Sequence, residues 1–166
     1  MIPKSATQMF NAKHIPNNFP KCKAIQWADV LAKLEWENAN KPETIKYLGP
    51  EIVEGVPNKQ HLPTFIMHTD HYPFSVKTAF DEIDQIFQVK AMHLYVSFGK
   101  DAPTFGAHRD QLDVLLVGGI GEVDYKVEGL GDELVTLKPG DGLYIPKGLE
   151  HEAIIKEARA TLSFEV

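Results

Sequence analysis

The 166-residue sequence has one cysteine, Cys22, so an internal disulfide is impossible and the other candidate metal ligands are His, Asp and Glu. It has no apolar run approaching the roughly 20 residues of a membrane-spanning helix. Met1-Ile2-Pro3-Lys4-Ser5 lacks the long apolar core of a secretory signal. Positive charge is scarce: 17 Lys and Arg against 23 Asp and Glu give a formal charge of −6, which argues against a general nucleic-acid footprint. Nothing basic and aromatic recurs as it would in a single-strand binding groove. Repeats, low-complexity tracts and dividing linkers are also missing. What remains is ordinary globular composition, 43% hydrophobic and 10% aromatic, in a chain long enough to bury about two-thirds of its unfolded surface. The expectation is one cytoplasmic domain over residues 1–166.

Residues 1–22 read as irregular, with Pro3, Pro16, Asn17, Asn18 and Pro20. The clearest helix is Trp27 to Glu37, where Trp27, Val30, Leu31 and Leu34 form an apolar stripe and Asp29, Lys33, Glu35 and Glu37 lie mostly elsewhere. A second helix is expected over Val76 to Phe87, with Phe80, Ile83, Ile86 and Phe87 at helical spacing. Lys46-Tyr47-Leu48 and Thr64-Phe65-Ile66-Met67 look like short strands. From Ala91 onward strands and turns alternate almost without a break. His151 to Ile155, Lys156-Glu157-Ala158 and Arg159 to Val166 look like a closing hairpin.

The chemistry concentrates in His108-Arg109-Asp110 and, further on, His151. On a strand, residues i and i+2 share a face, so His108 and Asp110 can reach one ion together. Two imidazoles and one carboxylate fill one face of an octahedral metal and leave the other open, the usual ligand set of non-haem Fe(II) oxygenases. An H-x-D triplet alone is weak; the setting of His151 strengthens it. Pro139-Gly140-Asp141-Gly142 is a turn by residue type, Leu143-Tyr144-Ile145 a short strand, and Pro146 and Gly148 redirect the chain into His151. Asp113 is out of phase with His108 and is expected to be a structural partner. His68-Thr69-Asp70-His71 contains a second H-x-D but has no such setting, and reads as a surface loop or substrate-side lining. His14 and His61 sit in turn-like sequence and receive no role.

Gly140 to His151 fits G-x5-P-x-G-x2-H, the second motif of the cupins, at every fixed position. Gly106-Ala107-His108-Arg109-Asp110 partly matches the first, with Asp where many cupins have a second His. His108 to Leu116 resembles the H-x-D-x-x-D-V-hydrophobic segment of jumonji-like cupin hydroxylases, Gly121 falls at their glycine turn, and Ala91 to Phe98 is similar to their preceding strand. The resemblance covers about residues 90–166. It implies a mainly β double-stranded β-helix (a jelly roll) with N-terminal helices packed outside. It also implies Fe(II) and 2-oxoglutarate as cofactor and cosubstrate, His108, Asp110 and His151 as iron ligands, and hydroxylation coupled to formation of succinate and CO2. The substrate is unidentified, a protein side chain or a small molecule, and a homodimer is open.

One departure matters. The family's Lys or Arg for the distal carboxylate of 2-oxoglutarate falls here at Val123, and Lys126 is out of phase with it. Arg159 is the better substitute: it shares a strand face with Thr161 and Ser163, as in the R-x-S/T pair other 2-oxoglutarate oxygenases carry on the last barrel strand, and offers a bidentate grip. Its alternative is a solvated charge beside the Lys156-Glu157 turn. His93 and Tyr95 share one face with Ser97; His93 reads either as a satisfied half-buried histidine or as a pocket residue, and both are placed on the cosubstrate side. Lys100 to Phe105 is expected to border the entrance, and Tyr144 either lines the site or packs. If Arg159 points outward, the same ligands suit a cupin isomerase, decarboxylase or dioxygenase acting without 2-oxoglutarate. A cupin that only binds a small molecule is the third reading.

Overall fold

The computed structural model describes residues 11–49, 52–53, 56–57 and 62–166; His61 and residues 1–10 lie outside them. In chain order the elements are β1 (Lys13–Ile15), α1 (Pro20–Lys23), α2 (Trp27–Asn40), β2 (Lys46–Leu48), β3 (Ile52–Val53), β4 (Val56–Pro57), β5 (Thr64–Met67) and α3 (Phe74–Phe87). The C-terminal part is all strand: β6 (Ala91–Ser97), β7 (His108–Arg109), β8 (Val114–Ile120), β9 (Val123–Val127), β10 (Val135–Leu137), β11 (Gly142–Ile145), β12 (Glu150–Ile155) and β13 (Arg159–Glu165).

Two antiparallel sheets face each other, one in the order β1-β11-β8-β13-β6-β5-β2 and one in the order β10-β9-β12-β7. This is the expected jelly roll. The larger sheet is buried on both faces because its strands alternate. Leu94, Val96, Leu115, Val117, Leu162 and Phe164 turn outward against Val76, Ala79 and Ile83 of α3 and Val30 of α2. Val114, Leu116, Leu143 and Ile145 turn inward against Val123, Tyr125 and Val127 of β9. At β6 and β13 the inward face becomes polar. The unbroken register Arg159↔Ser97, Thr161↔Tyr95, Ser163↔His93 lines the barrel interior with hydrogen-bonding groups, and there the site forms.

The closing hairpin does not exist. β12 pairs with β9 and β7, whereas β13 pairs with β6 and β8 in the other sheet, so residues 156–158 cross between sheets. The β8–β9 connection crosses at the same end. Gly121 makes that corner at φ +70°, and a Cβ there would meet the Ala158 carbonyl oxygen at 2.2 Å, so the two crossings pack backbone to backbone. The stretch expected to be irregular holds β1, paired with β11. His14 approaches the Asp141 carboxylate at 3.2 Å, a tie between the first strand and the glycine turn.

The helix α2 corrects another expectation. Its buried residues are Val30, Lys33 and Glu37, while Leu31 is exposed; likewise Ile86 of α3 lies at the surface. The two charges are buried because each is saturated. Lys33 Nζ donates to Glu37 Oε2 (3.2 Å), to the Thr69 carbonyl (2.8 Å) and hydroxyl (3.1 Å), and to the His71 carbonyl (2.9 Å). Glu37 accepts from the Thr69 hydroxyl at 2.7 Å, the Thr44 hydroxyl at 2.7 Å and the His68 amide at 2.9 Å. Apolar periodicity cannot register such a pair, since its partners lie on the segment after β5.

Burial alone would raise the Glu37 carboxyl, but the hydrogen bonds from Thr69, His68 and Thr44, with the Lys33 charge, hold it down to about 2. A folded pKa below the unfolded value of about 4.3 gives a contribution to stability that is complete above that value and is lost as pH falls toward 2. Thr69→Val removes one of the two nearest donors at constant shape. It is expected to cost about 1–3 kcal/mol at pH 7, with the difference from wild type shrinking between pH 4.5 and pH 2. Urea unfolding across that range is the measurement, and a pH-independent difference would contradict this account.

Candidate metal centre

β7 is the edge strand of the smaller sheet, and its register sets His108 directly opposite His151 on β12. The turn before β12 fixes this pairing: Gly148 takes φ +81°, and its N–H donates to the Asp110 carbonyl at 2.9 Å. Each imidazole uses Nδ1 on a main-chain carbonyl two residues back, His108 on Gly106 at 2.9 Å and His151 on Leu149 at 3.2 Å. With Nδ1–H so engaged, each Nε2 faces the site, and loss of its proton to an incoming metal frees a lone pair as ligand. The two Nε2 atoms converge on Asp110, His151 Nε2 at 3.4 Å from Oδ2 and His108 Nε2 at 3.8 Å from Oδ1. The hydrogen bond with His151, aided by both imidazoles, holds the Asp110 carboxyl below the usual carboxylate range against the opposing effect of burial.

All three donors lie within 4.8 Å of one another. Neighbouring ligand atoms about 2.1 Å from one ion sit about 3 Å apart, so an ion would require only a small inward closure. The donor set of two neutral nitrogens and one oxygen suits Fe(II), and accepts Mn, Co, Ni or Zn as well. The ligands occupy one wall of a cavity of about 500 Å³, open mouth included, whose other residues include Tyr95, Tyr125, Phe105, Leu48 and Arg159.

Arg159 is the decisive neighbour. It is 2% exposed, against side-chain exposures of 34% and 37% for His108 and Asp110, so the guanidinium lies at the closed end. Nε donates to Ser97 Oγ at 3.0 Å, and Ser97 is in turn bonded to Thr64 Oγ1 at 2.8 Å. The guanidinium carbon stands 5.5 Å from the Tyr95 ring centre, and Tyr125 interacts with both Arg159 and Thr161. Burial pulls the guanidinium pKa down from its ordinary value, offset in part by Tyr125 and Tyr95. Among the described residues no carboxylate lies at ion-pairing distance. A buried, permanently protonated fork with hydroxyl and ring partners is short of an anion.

The other expected residues fall as follows. Ser163 lines the cavity, whereas Thr161 bonds Tyr125 behind it. Tyr95 is a cavity residue; His93 lies in an adjoining recess with His68, Gln111 and Glu165 that shares Tyr95, Asp110 and Ser163 with the main cavity. Burial and His68 lower the His93 pKa. Thr104 and Phe105 of the expected entrance loop border the mouth, and Lys46 Nζ caps the Phe105 ring at 4.3 Å. Asp113 is structural, accepting from the Tyr144 hydroxyl (2.8 Å) and the Lys147 amide (2.9 Å), and Tyr144 packs in the outer core. Val123 is buried and Lys126 faces out. His71 stacks on Trp36 and His68 lies against His93, outside the metal ligands.

Neither a protein-family model nor a curated protein matches the sequence. Solved structures do. YcfD, a ribosomal oxygenase from Escherichia coli, aligns over 93% of this chain and 48% of its own with a TM-score of 0.60 at 21% identity. A second structure of E. coli ycfD aligns over 93% of this chain and 50% of its own, with a TM-score of 0.62 at 18% identity. The jelly-roll fold is shared with these structures. The chain spans about half of their length. A structure of YcfD in complex with cobalt and 2-oxoglutarate aligns over 74% of this chain and 40% of its own, with a TM-score of 0.57 at 19% identity. Among the described residues, no helix is long and apolar enough to cross a membrane.

Proposed function

We propose that the protein is an Fe(II)- and 2-oxoglutarate-dependent oxygenase. The observation that carries this reading is Arg159: a buried cation with no carboxylate at ion-pairing distance among the described residues, in the cavity that also holds the His108, Asp110 and His151 donors. A dicarboxylate with a chelating keto acid at one end and a carboxylate at the other answers both needs. The fold shared with YcfD, which binds cobalt and 2-oxoglutarate, adds weight. When bound, Fe(II), 2-oxoglutarate and O2 supply the oxidising power, the keto acid leaving as succinate and CO2 while one oxygen atom goes to the substrate.

This chain's residues do the rest. His108, His151 and Asp110 grip one face of the ion and leave the opposite face open to the cavity. Arg159 receives the distal carboxylate, held at the right depth by Ser97 and Tyr125 and backed by the Tyr95 ring. Tyr95, Leu116, Tyr125 and Ala153 keep water from the closed end. Phe105, edge-on to His108 with ring centres 5.7 Å apart, and Leu48 form apolar sides at the mouth. An outward Arg159 would have favoured a cupin isomerase, decarboxylase or dioxygenase without 2-oxoglutarate; its inward position favours the oxygenase.

Calorimetric titration of 2-oxoglutarate into Co(II)-loaded and metal-free protein tests the reading, with succinate formation by the Fe(II) form under O2 alongside. Binding is expected only with metal present. Tight metal binding with no 2-oxoglutarate binding would discard the oxygenase in favour of the other cupin chemistries.

A further inference from the structure

Of the three candidate metal ligands, His108 rides on a strand that has little to hold it, and Asp110 directly follows that strand. β7 is two residues long, sits at the sheet edge and, among the described residues, pairs only with β12, through Glu150↔Arg109 and His151↔His108. So short an edge strand frays easily by itself. Arg109, between the two ligands, points by alternation to the opposite face of the sheet, into the groove that Glu128 and Glu150 also line. Its Nη1 donates to the Gly148 carbonyl at 2.6 Å and to Glu128 Oε2 at 2.7 Å, while Nη2 reaches Glu150 Oε2 at 3.4 Å. Glu128 Oε2 also accepts from the Glu150 amide at 3.0 Å.

One guanidinium therefore joins three segments: the strand that carries His108 and leads into Asp110, the turn delivering His151, and the residue that follows β9. Gly148 is gripped from both sides, its carbonyl by Arg109 and its N–H by the Asp110 carbonyl. Accepting from Glu150 and Arg109 holds the Glu128 carboxyl below its ordinary range. We infer that Arg109, with Glu128 as its anchor, is a positioning residue for the metal centre: from the outer face of the sheet it fixes the spacing of His108 and Asp110 relative to His151. Exposed ion pairs contribute little to global stability, and Arg109 and Glu128 are each about half exposed. The effect is therefore local, on the order of the donors.

The inference rests on the metal centre of the proposed function but not on 2-oxoglutarate. The test titrates Co(II) into wild type, Arg109→Ala, Arg109→Lys and Glu128→Gln, reading the dissociation constant, the visible ligand-field spectrum and the melting temperature of the metal-free protein. Loss of a partner that orients ligands typically weakens metal binding about 10- to 100-fold. Arg109→Ala is expected to fall in that range with an altered Co(II) spectrum and a melting temperature close to wild type. Arg109→Lys, a point charge unable to bridge three acceptors, should recover only part of the affinity. An unchanged dissociation constant and spectrum in Arg109→Ala would overturn the inference, whatever happened to its melting temperature. If that variant does not fold, Glu128→Gln decides by the same readouts, with a smaller expected loss. Wild type that binds no Co(II) would overturn the metal centre itself; equal binding by wild type and Arg109→Ala would overturn only the role of Arg109.

Discussion

His151→Ala is expected to abolish specific metal binding and every activity that depends on it while leaving the fold in place. The side chain supplies one of three donors, so an ion would keep only two protein ligands. The cost should exceed the roughly 10- to 100-fold typical of losing only a partner that orients a ligand. The backbone has no reason to collapse, since the pairing of residue 151 with His108 and Val127 uses main-chain groups. His93→Ala is the control: an imidazole close by, in the recess shared with Asp110, but outside the donor set. Co(II) titration of both variants separates the possibilities. Retention of tight binding in His151→Ala, or its loss in His93→Ala, would mean that the ion is held by another set of residues.

The convergence of His108, Asp110 and His151 was legible in the sequence because its determinants are local. The i, i+2 rule puts His108 and Asp110 on one face, and the Pro146 and Gly148 breaks define where His151 must begin its strand. The inward phase of Arg159 was legible for the same reason: β13 alternates without interruption against β6. Tyr125 was missed although its signal was present. It is in phase with Val123, the position where the family's cation is missing, and Val123, Tyr125 and Val127 all face the interior. A missing cation on one strand could have directed attention to whatever else that face carries. What was not legible was non-local. Strands adjacent in sequence usually pair, yet β12 and β13 part into different sheets because the 156–158 crossing packs against the Gly121 corner. The buried Lys33–Glu37 pair could not be foreseen either, since its saturating groups come from residues 44 and 68–71.

Arg159→Met should separate cosubstrate binding from both metal binding and folding. A buried guanidinium without a carboxylate partner carries a desolvation cost that methionine, of similar length and without charge, does not. The variant is therefore expected to melt at or above the wild-type temperature and to bind Co(II) unchanged, because residue 159 is not one of the three donors. Its 2-oxoglutarate would lose the distal anchor, leaving a carboxylate buried without a cation. Truncating one side of a buried charged pair costs about 2–5 kcal/mol, or about 30-fold to several thousand-fold in affinity. The loss should appear in the 2-oxoglutarate requirement. A keto acid lacking the second carboxylate should bind wild type and variant about equally, because only the distal carboxylate addresses residue 159. If 2-oxoglutarate instead bound Arg159→Met as tightly as wild type, another cation would hold the distal carboxylate, and the buried guanidinium would have to serve a different anion. If stability fell sharply while 2-oxoglutarate binding survived, Arg159 would be a structural member of the Ser97–Tyr125 network alone.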